Sequence, residues 1–451
     1  MKNQRKMLKT ETAAIPLATV LLYNMAGYAF NLYDTVLYAW LPYYYVPPEG
    51  SMRPAYISLA LFGIILAAGR VLDAVSDPLV GYWSDHTRSR WGRRKPYIFV
   101  SGPLLFLSFL FVWRPPVPGT SWINAVYLGA VLFIYYWAYT AFLVPWLATV
   151  PEMSRNNDER VKIISIGIAI GIVGAAVGGG LSGILIGNRG VFCMALILGG
   201  SALISGILSL FGIREYYTPP ERSEAPAGFF KTMISVFNDK QVLSFSGMIL
   251  FVQLTYQLML MNVPYMTTLI LKENESMASV LMGEVILLIG LSTPLWYSLL
   301  RRFPKRRVMR WIIILMTGGF LLSFFVGRFG ILDPFTQAMI IMPFAAIPMG
   351  GMFTASIGLI ADLSDYGELK SGLRSEAVYY GIYGIVRKFG WAFCSFILTA
   401  TFSHFGYSSE NPLGVRVIWL MCAVSCLIGF LLFLPYRLGD SKEESRKILE
   451  L

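Results

Sequence analysis

Asp73 and Asp77 lie four residues apart in GRVLDAVSDPLVGYWSDHTRSRWGRRKP, residues 69–96, whose first part is apolar enough to sit in a membrane. At that spacing two carboxylates stack on one face of a helix, and Arg70 precedes Asp73 by one turn. Each charge at bilayer depth costs about 2.5–3.5 kcal/mol on insertion scales. Three of them in so short a stretch must face a partner or a water-filled cavity. Two neighbouring carboxylates also repel unless a proton or a metal cation sits between them. The acids outnumber Arg70, so the pair reads as a site for Na⁺, H⁺ or Li⁺, cations that oxygen ligands suit. Ser76 lies beside the pair, and Pro78 frees backbone carbonyls next to it. The alternative is a structural network with Arg70 and bases of another helix.

Other polar residues fall in apolar runs. Asn31 and Asp34 share a helix face among Tyr28, Phe30, Tyr33, Tyr38 and Trp40. They suit a hydroxyl-rich or cationic ligand, or hydrogen bonding between helices. Arg387 and Lys388 are adjacent in YYGIYGIVRKFGWAF. Adjacent side chains diverge by roughly 100° on a helix, so the two cannot share all partners. One is expected to face a cavity and counter the acids when the cation is absent, or to bind an anionic group. Glu284 is a lone carboxylate with a packing, gating or substrate role. Asp362, Asp365, Glu368, Lys370 and Arg374 cluster near the end of a span. They are either a solvated face or a cytoplasmic gate, with Arg160 or the 88–95 basic run as partners in one of two states.

The elements that must position these groups are membrane helices. The chain has 451 residues, 56% hydrophobic and 14% charged, with mean hydropathy +0.59. Globular soluble proteins carry about 25% charged residues. Spans are expected at 13–46, 54–84, 96–113, 122–150, 162–187, 191–212, 241–271, 277–300, 308–328, 334–363, 375–403 and 413–436. They leave no room for a soluble domain. No cleavable signal peptide is visible, because the apolar stretch after the basic start is long enough to span. With both termini cytoplasmic, 28 Lys and Arg fall inside, 6 outside and 3 within the membrane. That bias accounts for the net charge of +11 without nucleic acid.

The longest polar connection, 213–240, separates a six-helix bundle at 1–212 from a second at 241–436, with a cytoplasmic tail at 437–451. The halves resemble each other. TRSRWGRRK follows span 2 and RRFPKRRVMR follows span 8; VPEMSRNNDER ends span 4 and ADLSDYGELKSGLR ends span 10. A 6+6 repeat is the architecture of alternating-access carriers. The run GIVGAAVGGGLSGILIG, residues 171–187, reads as close helix packing rather than a phosphate loop, since no Lys-Ser/Thr follows. Four cysteines in apolar runs and two histidines offer no metal-ligand spacing.

The 69–96 stretch with the following Tyr97 resembles the helix II and loop 2–3 signature of the glycoside-pentoside-hexuronide:cation symporters, a branch of the major facilitator superfamily. ADLSDYGELKSGLRSEAVYYGIYGIVRKFG resembles the family's helix X–XI region, and LVPWLATVPEMSRNNDER its helix IV end. The resemblance covers all twelve spans. It implies an all-α membrane protein with twelve transmembrane helices in a 6+6 pseudo-symmetric major facilitator fold. It carries the cation site onto Asp73, Ser76, Asp77 and Thr140, with Ser76 where the sugar-transporting pattern has Asn. It carries the coupling lysine onto Lys388 and the cytoplasmic gate onto Asp362, Asp365, Glu368, Arg374 and Arg160; Arg70, one turn before Asp73, is expected to share in the coupling. Tyr139 matches a tyrosine beside the sugar site. The departures concern the substrate. Asn31 stands at the helix I sugar aspartate, with Asp34 one turn later. Leu143 stands at the helix IV aspartate, Leu147 at a neighbouring tryptophan and Ile168 at the helix V arginine. A site that loses hydroxyl-gripping groups changes its discrimination.

The implied function is a cation-coupled symporter, Na⁺ or H⁺ driven, for a sugar, glycoside or sugar acid. The family's lysophospholipid symporters make an amphipathic substrate the alternative. No nucleophile–base pair or cofactor motif marks an enzyme. A scramblase, uniporter or exchanger would differ by indifference to a cation gradient. The expected partners are a small-molecule substrate, a monovalent cation such as Na⁺ and the lipid bilayer of the cell membrane. Nothing in the sequence demands more than a monomer.

Overall fold

The computed structural model describes residues 15–154, 156–215, 236–330, 332–371 and 376–439. Its long helices, in chain order, are α1 Leu17–Tyr45, α2 Leu59–His86, α3 Lys95–Val112, α4 Trp122–Met153, α5 Asp158–Arg189 and α6 Val191–Gly212. They continue as α7 Lys240–Leu269, α8 Glu275–Arg302, α9 Lys305–Phe324, α10 Pro334–Lys370, α11 Val378–Phe405 and α12 Leu413–Phe433. Helix α4 is interrupted at Thr149 and α10 at Met342. An isolated bridge between Glu49 and Ser408 is the only strand-like pairing among the described residues.

Eleven of these helices, all but α1, are long and apolar enough to cross a membrane. Helix α1 has 29 residues, about 43 Å at the α-helical rise, against a hydrocarbon core of about 30 Å. Asn24, Asn31, Asp34, Thr35 and a run of tyrosines lower its hydropathy. The twelve expected spans fall on these twelve helices. Arg416 lies in the first turn of α12 and donates to the carbonyls of Phe324 and Val326, at 3.1 and 2.6 Å.

Side chains cap several helix starts, satisfying amides that have no partner inside the helix. Asn156 accepts from Asp158 N, Asp239 from Gln241 N, Asn274 from Met277 N and Asp333 from Thr336 N. Pro78, Pro145 and Pro264 lie inside helices that continue past them.

The chain divides into two compact units. One comprises Met1–Leu37, Val75–Pro115 and Tyr127–Arg222; the other comprises Tyr38–Ala74, Pro116–Val126 and Ser223–Leu451. The division passes through α1 and α2 as well as through the 213–240 connection. Contacts such as Tyr265 Oη to the Val46 carbonyl, 2.6 Å, tie Tyr38–Ala74 to the later helices.

In the first unit, α5 packs its glycines against α1. A Cβ at Gly171 would meet the Asn31 side chain, and one at Gly174 would collide with the Tyr28 backbone. This close approach is what small residues permit between membrane helices. Reciprocal bonds join α1 to α4: Tyr23 Oη donates to the Trp146 carbonyl at 2.7 Å, and Trp146 Nε1 to the Tyr23 carbonyl at 3.0 Å. In the second unit α7 is the most buried span and packs on α11 and α12, while α9 packs on α10 and α12. Asn262 Nδ2 of α7 donates to the Val415 carbonyl at 2.9 Å, tying α7 to α12.

The α1–α5 contact gives the first prediction. Gly174→Val inserts bulk against the Tyr28 backbone and should cost about 1–3 kcal/mol, seen as a lower melting temperature of the purified protein. Gly129→Ala, whose methyl meets nothing within 4 Å, should hold or raise it.

Candidate functional site

Asp73 is buried, 1% exposed, and two cations bracket it. Arg70 Nη1 donates to its Oδ2 at 3.1 Å. Lys388 Nζ, from α11, lies 3.1 Å from its Oδ1 and also donates to its main-chain carbonyl at 3.1 Å. Arg70 and Lys388 are themselves buried, at 3% and 6%. Buried charges persist only when paired and hydrogen-bonded, and losing one partner leaves an uncompensated charge. The Arg70 guanidinium also lies over the rings of Tyr38, 4.4 Å, and Trp391, 5.0 Å. Flat guanidinium faces suit such stacking, and an ammonium would not reproduce it.

One turn further along the same helix the chemistry changes. Ser76 Oγ donates to Thr140 Oγ1 at 3.0 Å, and Thr140 Oγ1 donates to Asp77 Oδ1 at 3.4 Å. Ser76 and Thr140 are fully buried, whereas Asp77 is partly exposed. Ser76, Asp77 and Thr140 offer only oxygen atoms to a ligand, which suit a hard cation or a proton and not a soft metal. No group of three or more His, Cys, Asp or Glu is arranged to hold a metal among the described residues.

The expected substrate residues sit in the first unit. Tyr139 Oη donates to Asp34 Oδ2 at 2.8 Å, and its ring packs edge-on to Phe30 at 5.0 Å. Asn31 is exposed, although its Nδ2 donates back to the Gly27 carbonyl at 2.9 Å. Leu143 is partly exposed, and Leu147 and Ile168 are exposed at 51% and 46%.

Charged clusters mark the helix ends. Glu152, 4% exposed, accepts from Arg94 Nε at 2.9 Å and from Arg93 Nη2 at 2.9 Å. Arg94 Nη2 also reaches Asp85 at 2.9 Å, and Glu215 accepts the main-chain amides of Arg93 and Arg94. Gly92 sits beside that carboxylate at φ 104°, where only glycine fits easily. In the second unit Lys305 Nζ lies 2.5 Å from Asp362. Arg160 donates to the carbonyls of Ser154 and Pro151. Asp365 and Glu368 are partly exposed near the end of α10, and Arg374 lies outside the described residues. Asp239, between the bundles in sequence, accepts from Lys370 at 2.5 Å. Burial alone would raise its carboxyl, but the Lys370 and Gln241 bonds outweigh this and hold it below its ordinary value.

Sequence reasoning did not single out Glu152, Asp85, Glu215 or Lys305. A signal was available. Basic loops follow spans 2 and 8, and acids end spans 4 and 10, so an acid-to-base pair within each half follows from the repeat. The structure has that pair twice, as Glu152 with Arg93 and Arg94, and as Asp362 with Lys305.

A family model described as MFS/sugar transport protein matches residues 22–439. The sodium-dependent lysophosphatidylcholine symporter 1 of Gallus gallus is 23% identical over 456 positions, covering 90% of this chain and 84% of that protein. The isoprimeverose transporter of Lactiplantibacillus pentosus is 23% identical over 427 positions, with the same two coverages. The crystal structure of a D-xylose-proton symporter aligns with TM-score 0.68 at 14% identity, covering 94% of this chain and 99% of that one. This last likeness shows the fold, the twelve-helix major facilitator architecture.

The two acid–base clusters should respond differently to truncation. Glu152→Ala takes the shared carboxylate from two arginines, leaving the buried Arg94 with the exposed Asp85, and should cost about 3 kcal/mol. Asp362→Ala removes a pair whose lysine is more exposed, and the loss should be nearer 1 kcal/mol. Thermal unfolding of both variants checks the order.

Proposed function

The chain belongs to the MFS/sugar transport protein family, and on that premise we propose that it is a cation-coupled symporter of the cell membrane working by alternating access. Its members and relatives are transporters, not enzymes. In this reading the two six-helix halves, 1–212 and 241–436, rock about a central site, with both termini cytoplasmic and a single chain sufficient. The cation, Na⁺ or H⁺, binds at Asp73, Ser76, Asp77 and Thr140. The substrate is a sugar, glycoside or sugar acid contacting Asn31, Asp34 and Tyr139.

One observation carries the reading: the Lys388 ammonium lies 3.1 Å from a carboxylate oxygen of Asp73. A monovalent cation and this ammonium compete for the same negative charge. When the cation arrives, Lys388 is released from Asp73 and repositions α11. Substrate that favours the released state raises cation affinity by the same factor by which the cation raises substrate affinity. Arg70 keeps one charge on Asp73 throughout, so the carboxylate is never bare. Asp362, Asp365, Glu368, Arg374 and Arg160 serve as the cytoplasmic gate. Lys305 is added to that set by its contact with Asp362.

A second reading has its own support. Leu143, Leu147 and Ile168 present apolar surface where the sugar-binding pattern has acid, indole and guanidinium. That surface suits an acyl chain, and a lysophosphatidylcholine symporter is among the relatives. The cation machinery is the same in both readings.

Asp77→Asn tests the coupling. It should lower the cation dependence of substrate uptake in proteoliposomes at least tenfold, while the melting temperature without ligand changes by no more than a few degrees. Undiminished uptake driven by both Na⁺ and H⁺ gradients would remove Asp77 from the site.

A further inference from the structure

Arg387 has no place in the cation site, yet it lies mid-helix in a membrane span. Its neighbour Lys388 faces Asp73, and Asp73 is already shared with Arg70. Arg387 makes no ion pair or hydrogen bond among the described residues. Its Nε is buried without an acceptor. Its guanidinium instead lies over Trp391, 4.8 Å from the ring centroid, and over Tyr383 at 5.6 Å. An unpaired intramembrane cation is costly, and aromatic faces offset only about 0.5–2 kcal/mol of that.

The contacts of Arg387 among the described residues are with aromatic rings and not with a carboxylate. The Trp391 ring carries guanidinium groups of both Arg70 and Arg387, at 5.0 and 4.8 Å. Arg70 and Lys388 are both paired to Asp73, and Arg387 is paired to no carboxylate among the described residues. The indole Nε1 of Trp391 is also buried without an acceptor. Tyr383, the other ring, is fixed by Gln253 Nε2, which donates to its Oη at 2.9 Å. Two orphan donors beside a guanidinium that no carboxylate pairs among the described residues call for an acceptor that is an anion.

We propose that Arg387, with Trp391 and Tyr383, is a specificity site for an oxyanion carried by the transported substrate. The oxyanion is a carboxylate, sulfonate or phosphate. Guanidinium binds such groups through paired N–H donors, with greater strength than neutral hydrogen bonds give. Trp391 Nε1 supplies a further donor, and Tyr383 holds the guanidinium plane in position. The inference rests on the symporter reading and narrows its substrate class. A neutral sugar would leave Arg387 as uncompensated as it is without ligand. Sugar acids and lysophospholipids both carry the required group, at one end of an otherwise different molecule.

Matched ligand pairs test this on the full-length protein in nanodiscs, by equilibrium binding with and without Na⁺. The pairs are an alkyl glucuronide against the alkyl glucoside, and lysophosphatidylcholine against the monoacylglycerol of the same chain. Within the pair that binds, the oxyanion member should bind at least tenfold more tightly. Arg387→Gln should abolish that preference, and Arg387→Lys should keep part of it. Equal binding within the pairs, a preference that survives Arg387→Gln, or no binding of either oxyanion ligand overturns the inference. The two claims separate cleanly. A preference lost in Arg387→Gln but indifferent to Na⁺ and H⁺ keeps the oxyanion site and removes the symporter reading. Cation-dependent binding of a neutral ligand does the reverse.

Discussion

A carboxylate buried in a membrane span must be neutralised, and that requirement organises the centre of this protein. Asp73 meets it with two cations, one on each oxygen. Arg70 is local, three residues away on the same helix, so its contact forms whenever α2 forms. Lys388 arrives from α11, more than three hundred residues later. The first contact is fixed by helix geometry; the second depends on where α11 stands. A transported cation can replace the second without disturbing the first, which is how a binding event becomes a helix displacement in the proposed cycle.

The surrounding structure holds these groups in register. Tyr38 and Trp391, packed edge-on to each other, both contact the Arg70 guanidinium and help hold it at Asp73. Glycines of α5 let α1 approach closely enough to place Asn31 and Asp34. At the helix ends, Glu152 and Asp362 gather bases from the loops after α2 and after α8. The same acid–base device in both halves of the sequence supports the internal repeat. The Glu152 version is more buried, with Arg94 and the amides of Arg93 and Arg94 enclosed, and is the more costly to break.

Much of the fold was legible because membrane helices announce themselves by length and hydropathy. The basic loops gave an expected orientation, and the two acids of α2 an expected cation site, which remains a proposal. The partner of Asp73 was open from the residues alone. Arg387 and Lys388 are adjacent, and spacing says only that they diverge; the three-dimensional path of α11 selects Lys388 as the residue at Asp73. The pairing of Glu152 with Arg94 was missed because the acid lies in a four-residue turn after the break at Thr149, at the end of an otherwise apolar span. Trp391 read as one aromatic among many, since no sequence pattern reveals that two guanidiniums share its ring.

The most direct test of the central claim is Na⁺ binding to Lys388→Ala, measured by isothermal titration calorimetry beside the unaltered protein at fixed pH. If the ammonium and the cation compete for Asp73, removing the ammonium should tighten Na⁺ binding at least tenfold, about 1.4 kcal/mol or more. Unchanged or weaker Na⁺ binding would contradict competition. It would leave the Asp73–Lys388 pair as a structural contact and the cation site elsewhere.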